Sequence, residues 1–223
     1  YGKDTLAHWM NHAASPAEIR DRQSASEKLA ENIEWRQEFQ ATGMRSKAPG
    51  APLEVLDAWV KEEPVLSRQP LYSVIPYVLP IITLTLTVLA FIPMLHWGFA
   101  AGAFALHIII NRPINKYGKE VFAKVDRWAP FLAAFGKLIE QMETLDTDTP
   151  LTQAYKDRLA KEGKPAFQEI GYLSRLLVRL ELRLNGLPYY IMHNVFFWDM
   201  IWLVRLERWK QRHQDHILDW FRV

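Results

Sequence analysis

At 223 residues and 49% hydrophobic side chains, the chain is long and apolar enough for one sizeable core, which excludes wholesale disorder. Lys and Arg number 27 against 25 Asp and Glu, so the net charge of +2 argues neither for nor against a polyanionic partner. With no cysteine, disulfide scaffolds, thiolate zinc sites and cysteine nucleophiles are excluded.

The chain starts on Tyr1 and stops inside a helical pattern, and so reads as a segment of a longer polypeptide. Its first 22 residues are polar and lack the apolar core of a signal peptide. A short helix over 3–12 precedes Ser15-Pro16-Ala17-Glu18, a strong helix start: Ser15 caps, Pro16 fits the first helical position and Glu18 completes a capping box. The spacing predicts a helix from there to about Ala41, stopped at Gly43. A loop over 44–52 and a short helix over 52–62, ended by Pro64, follow.

Between Arg68 and Arg112 there is no Asp, Glu, Lys or Arg, a run of 43 residues. Two apolar arms, 74–92 and 99–110, flank a break at Pro93-Met94-Leu95-His96-Trp97-Gly98. A membrane helix needs about 20 apolar residues, which the first arm supplies; the second is short unless it extends to Asn111. Arg68 before the run and Arg112, Lys116 and Lys119 after it place both ends on the cytoplasmic side, with the 93–98 turn facing outward. Trp97, with Tyr72 or Tyr77, sits where interfacial aromatics belong. The alternative is a hairpin buried in a soluble bundle. The expected location is the cytoplasmic membrane, with the soluble helices facing the cytoplasm.

After the hairpin, Ile114, Val121, Trp128, Phe135 and Met142 recur every seven residues, and Val125, Leu132 and Ile139 interleave. This heptad seam predicts one long rod over 113–145, kinked but not redirected by Pro130. Thr149-Pro150 starts the next helix, and Gly163 with Pro165 ends it. Another helix carries Ile170, Leu173, Leu177, Leu180 and Leu184. A turn at Asn185-Gly186-Leu187-Pro188 leads to a last helix, 188–221, with Ile191, Val195, Trp198, Trp202, Leu206, Trp209, Ile217 and Trp220 at helical spacing. The fold class is therefore all-α, long amphipathic helices around an apolar, transmembrane hairpin. Three parts are expected: 1–67 as the first part of a helical core, 68–112 as the hairpin, and 113–223 as the lever-like rod and returning helices. Trp128, Phe135, Trp198, Trp202 and Trp209 are the expected structural seam.

Chemistry-bearing patterns are sparse. His8 and His12 have metal-pair spacing, but Trp9 stands where a zinc protease needs Glu. His213 and His216 are equally isolated, and no Glu is followed three residues later by His, so no metal site is assigned. His96 reads as a turn residue, and His107 as a bond to a neighbouring helix. A membrane enzyme or transporter using either is the competing reading. Four Gly-Lys pairs occur, none followed by Ser or Thr and none with the required Gly five residues upstream, so the segment holds no phosphate loop; no catalytic residue and no cofactor site is assigned. Two basic stretches, Arg175, Arg179 and Arg183, then Arg205, Arg208, Lys210 and Arg212, are the candidate phosphate contacts. Glu181, Glu207, Asp215 and Asp219 interleave with them, the pattern of a solvated, salt-bridged face.

Tyr1-Gly2-Lys3-Asp4-Thr5-Leu6 leading to Trp9, then Ala14-Ser15-Pro16-Ala17-Glu18-Ile19, Arg22-Gln23 and Leu29, resembles the start of the core domain of MutS-related proteins. Arg183-x-Asn185, Phe197-Trp198-Asp199, Leu206-Glu207-Arg208-Trp209-Lys210 and Trp220 resemble the returning helices of that core. The similarity is to a membrane-associated bacterial branch with apolar spans in mid-core. It implies a core and levers connecting to the protein's own C-terminal ATPase domain, which dimerises, with ATP and Mg bound only in that downstream domain. It also implies mismatched or branched DNA as a partner of the full protein. The hairpin stands where the DNA clamp of such proteins would sit. The reading from a different class is a membrane-anchored helical scaffold with no nucleotide or DNA partner.

Overall fold

The computed structural model describes residues 2–45, 53–92, 94–125, 128–159, 165–180, 186–215, 217 and 220; of these, the side chains of 2–4, 45 and 53–55 are not described. Every regular element among the described residues is helical: α1 (Gly2–Asn11), α2 (Pro16–Glu31), α3 (Ile33–Arg45), α4 (Leu53–Lys61), α5 (Leu71–Phe91), α6 (Trp97–Val125), α7 (Trp128–Glu143), α8 (Pro150–Leu159), α9 (Ala166–Leu180), α10 (Gly186–Phe196) and α11 (Trp198–His213).

The capping box forms as its residues dictate. Ser15 Oγ accepts from the Glu18 amide at 3.3 Å, and the Ser15 amide donates to Glu18 Oε2 at 2.8 Å. Those bonds hold the Glu18 carboxyl below the usual carboxylate range. The helix it starts is shorter than its spacing predicts. Asn32 leaves helical geometry (φ −95°, ψ 71°), and its side chain accepts from the Trp35 amide at 3.3 Å, opening α3. Asn bonds the backbone locally and favours caps over helix interiors, so one expected helix becomes two. Trp35 Nε1–H donates to the Gln141 carbonyl at 3.0 Å, tying α3 to α7.

The hairpin pairs α5 with α6. Pro113 does not begin a new rod: α6 runs through it for 29 residues, from the hairpin tip to Val125, about 43 Å at 1.5 Å per residue. Pro130 is the third residue of α7, and the expected continuity of the rod past it falls on residues 126–127, which lie outside the described residues. The seam itself is buried as its period demands, with Ile114, Val121, Val125, Trp128, Leu132 and Ile139 inside and Phe135 and Met142 packed against them.

Beyond the seam, α7 lies along α9, whose Ile170, Leu173, Leu177 and Leu180 are all buried; Leu184 lies outside the described residues. A Cβ at Gly136 would stand 3.4 Å from Ile170 Cγ2, ordinary van der Waals contact, so the α7–α9 approach does not demand glycine there. Thr149 caps α8 through a reciprocal pair with Thr152, at 3.0 and 3.2 Å. Glu143 accepts from the first amide of α9, Ala166, at 2.7 Å, and burial pushes its carboxyl above the usual range.

The expected last helix is also two. Phe197 has φ 53° and ψ 39°, the left-handed region, and separates α10 from α11. Its side chain is fully buried, 4.8 Å from the His107 ring. A bulky residue at positive φ is strained by about 1–3 kcal/mol and persists only where packing over-determines it. Phe197→Gly relieves that strain and Phe197→Ala does not. Both lose the ring, so we expect the Gly variant to be more stable than the Ala variant by about 1 kcal/mol in chemical unfolding, opposite to the order inside a helix. Equal or reversed stabilities would mean the backbone at 197 is not held in this conformation. From the break, α11 packs on α4, α5, α6, α9 and α10 and joins the hairpin to the rest.

Candidate functional site at the root of the hairpin

The densest polar arrangement lies where α11 meets the chain leading into the hairpin. Glu207, 3% exposed, accepts from the Val65 amide (3.0 Å), the Leu66 amide (2.9 Å) and the Ser67 amide (2.6 Å). Tyr117 Oη on α6 donates to the same carboxylate at 2.7 Å. One side chain thus satisfies three successive backbone donors and a phenol, a charge-assisted set that locks the turn after Pro64 to α11. Burial first, then the bond and charge of Glu207, push the Tyr117 phenol well above its ordinary value. The next residue on α11, Arg208, donates from Nη2 to Ser73 Oγ in the first turn of α5 at 2.6 Å. Ser67 Oγ reaches Gln211 Oε1 at 3.4 Å. α11 therefore grips residues 65–73 through three side chains, Glu207, Arg208 and Gln211.

A second polar junction lies deeper along the hairpin. His107 is fully buried, with Nε2 2.8 Å from Thr83 Oγ1 on α5 and Nδ1 3.0 Å from the Asn194 carbonyl of α10. Both ring nitrogens are occupied by structural partners, so His107 is a bolt joining α5, α6 and α10. Asn111 donates from Nδ2 to the His193 carbonyl at 2.9 Å. Asp199, fully buried in the first turn of α11, accepts from Tyr189 Oη at 2.6 Å. His193 Nδ1 lies 3.0 Å from Asp199 Oδ2, an ion-pair distance directed off the hydrogen-bond line. His96 stays at the hairpin turn, where its Nδ1 accepts from the Gly98 amide at 3.0 Å.

The basic candidates are largely committed to internal contacts. Arg179 and Arg205 lie 4.1 and 4.5 Å from the centroid of the Trp202 ring. Lys210, 6% exposed, sits 4.7 Å from the Trp59 ring, and burial pushes its ammonium down against the raising effect of Glu62 and Glu207. Arg175 and Arg212 are exposed; Arg183 and His216 lie outside the described residues. The Trp seam packs: Trp128, Trp202 and Trp209 are buried, while Phe135 and Trp198 are partly so. Trp209 Nε1 donates to Glu169 at 3.2 Å, and His213 reaches that carboxylate at 3.3 Å. His8 and His12 stack 4.0 Å apart on an exposed face, and no group of three metal-capable side chains forms among the described residues.

Sequence reasoning missed Glu207, Tyr117, Asn111 and Asp199 as site residues. Glu207 sits among arginines and lysines at a spacing that looks like an exposed ion-pair ladder, and nothing local shows that it meets backbone 140 residues away. Beside Glu207 and Lys210 a small cavity of about 100 Å³ opens, too small for a nucleotide. Comparison of the chain with protein-family models, with curated proteins and with solved structures finds no match in any of the three.

Proposed function

We propose that this chain is the core-and-lever segment of a membrane-associated MutS-like ATPase, coupling a nucleotide-driven domain outside the segment to a hairpin in lipid. The family part rests on the residue patterns quoted above. With it come ATP and Mg in the ATPase domain, a homodimer, and mismatched DNA as a partner of the whole protein. The membrane part rests on α5: 21 uncharged residues whose apolar 18-residue window has mean hydropathy 2.2 and is only 11% buried in the protein. Such a helix lacks a protein cover, and lipid supplies one. Thr85 and Thr87 donate back to the carbonyls four residues earlier at 2.9 and 2.8 Å. The Thr83 hydroxyl lies between the Leu79 carbonyl at 3.0 Å and His107 Nε2 at 2.8 Å, so the threonine hydroxyls need no water.

The observation that carries the coupling is the Glu207–Arg208–Gln211 grip on residues 65–73. A displacement of α11 moves the root of the hairpin because its carboxylate holds the backbone there directly. Two measurements test the reading. Alkaline carbonate should leave the chain with the membrane pellet, and deletion of 69–111 should release it. In the whole protein in lipid nanodiscs, spin labels at Trp97→Cys and Gln214→Cys should change separation on adding ATP and Mg. Extraction by carbonate removes the membrane part. An unchanged distance removes the coupling and leaves the anchored scaffold.

A further inference from the structure

We infer that α10, the break at Phe197 and the first turns of α11 form a re-entrant loop that enters the same leaflet as the hairpin root and contacts acyl chains. This rests on the membrane reading of α5 and α6 and extends it to a part of the chain expected to be soluble.

Four observations place the loop there. From Leu184 to Trp198 there is no Asp, Glu, Lys or Arg, and after Asp199 none until Arg205. α10 is inside out: Leu187 (72%), Tyr190 (57%), Ile191 (47%), Met192 (37%) and Phe196 (48%) are exposed, while His193 and Asn194 are buried. Its polar groups turn inward, toward the hairpin and α11, through Asn111 to His193, His107 to Asn194 and Tyr189 to Asp199. The one ionisable carboxyl in the loop is fully buried against Tyr189 and His193, which is how an acid is tolerated at membrane depth.

The contacts also give the direction. Tyr189 reaches Asn115, the His193 carbonyl meets Asn111, and the Asn194 carbonyl meets His107. Moving along α10, its partners step back along α6 from the root towards the tip. His107 bonds Thr83, about 18 Å along α5 from Leu71 and about 8 Å along α6 from Arg112 at 1.5 Å per residue, which sets it within one leaflet of a 30 Å hydrocarbon core. Phe197 turns the chain at that level, and α11 returns to the root, where Glu207 and Arg208 meet residues 65–73. Arg205 and Arg208 are then the first exposed charges of the loop itself, and on α6 the exposed Arg112, between Asn111 and Asn115, marks the headgroup height beside the start of α10. The uncharged outer face of α10 continues that of the hairpin, so the occupant that covers one covers the other.

The absence of native cysteine makes the test direct. Single cysteines at Leu84, Leu187, Ile191 and Gln214 carry a nitroxide in the chain reconstituted in phosphatidylcholine–phosphatidylglycerol vesicles. Power saturation then compares collision with oxygen and with a water-soluble nickel chelate. Leu84, Leu187 and Ile191 should favour oxygen, with Ile191 deeper than Leu187 by up to about 6 Å, one helical turn's rise; Gln214 should favour nickel. Nickel-accessible 187 and 191 beside a lipid-exposed 84 overturn the loop and spare the hairpin. Labels at 187 and 191 shielded from both reagents also overturn it, since protein then covers the face. A nickel-accessible Leu84 overturns the hairpin reading, and the loop with it.

Discussion

Replacing Glu207 by Ala should lower the unfolding free energy by about 3–4 kcal/mol, because the amides of Val65, Leu66 and Ser67 and the Tyr117 hydroxyl all lose their acceptor at once. Leu66 is 3% exposed, so water cannot replace the carboxylate without opening the turn. Glu207→Gln keeps one acceptor oxygen but turns an amide NH₂ toward backbone N–H groups, and should cost about 2 kcal/mol. Tyr117→Phe removes a single bond and should cost about 1 kcal/mol. The order Ala, Gln, then Phe in denaturant midpoint is the signature of one carboxylate serving several donors. An Ala variant melting with the wild type would mean the clamp does not form.

The same clamp fixes a pH dependence. The folded Tyr117 holds its proton above the ordinary phenol value of about 10, so above that pH the native state binds more protons than the unfolded one. Its contribution is full below pH 10 and drains away as the pH climbs towards the raised folded value. Lys210, pushed down by burial, slopes the other way, but it is present in wild type and Tyr117→Phe alike and cancels in their comparison. The wild type should therefore lose stability faster than Tyr117→Phe above pH 10. Parallel curves would place the phenol in water.

What the sequence could show, and what it could not, follows from the range of each interaction. The heptad seam was legible because Ile114, Val121, Trp128 and Leu132 advertise burial by period alone, and all four are inside. The Ser15–Glu18 box was legible because capping is a contact between residues three apart. Helix breaks were less so. Asn32 and Phe197 interrupt patterns whose apolar spacing continues through them, and Pro113, which reads as a helix start, lies deep inside α6. The site was the least legible part. Glu207 meets residues 140 to 142 positions away, and no local rule separates a buried clamp from a surface carboxylate flanked by arginine. His107 was the exception, since an ionisable ring inside an uncharged run must find partners, and the neighbouring helices α5 and α10 supply both.

Truncating Trp202 to Ala should cost about 3–5 kcal/mol, the range for deleting a large buried aromatic. The ring is 8% exposed, meets Trp198 edge-on at 5.4 Å, and lies within cation–π reach of Arg179 on α9 and Arg205 on its own helix. It therefore holds α9 to α11 through dispersion and two guanidinium contacts rather than through its indole N–H, which has no hydrogen-bond partner among the described residues. Trp202→Phe should consequently cost only about 1–2 kcal/mol, since the substitution removes volume but no bond. A Phe variant as damaging as Ala would reveal a hidden partner for Nε1. Trp202 lies five residues before Glu207, and its loss leaves the carboxylate clamp in place. The Ala variant should melt early and still resist carbonate extraction, whereas Glu207→Ala should keep the α9–α11 seam and loosen the hairpin root. If both variants lose both properties together, α11 does not separate core packing from its hold on the hairpin, and the lever loses its independent grip.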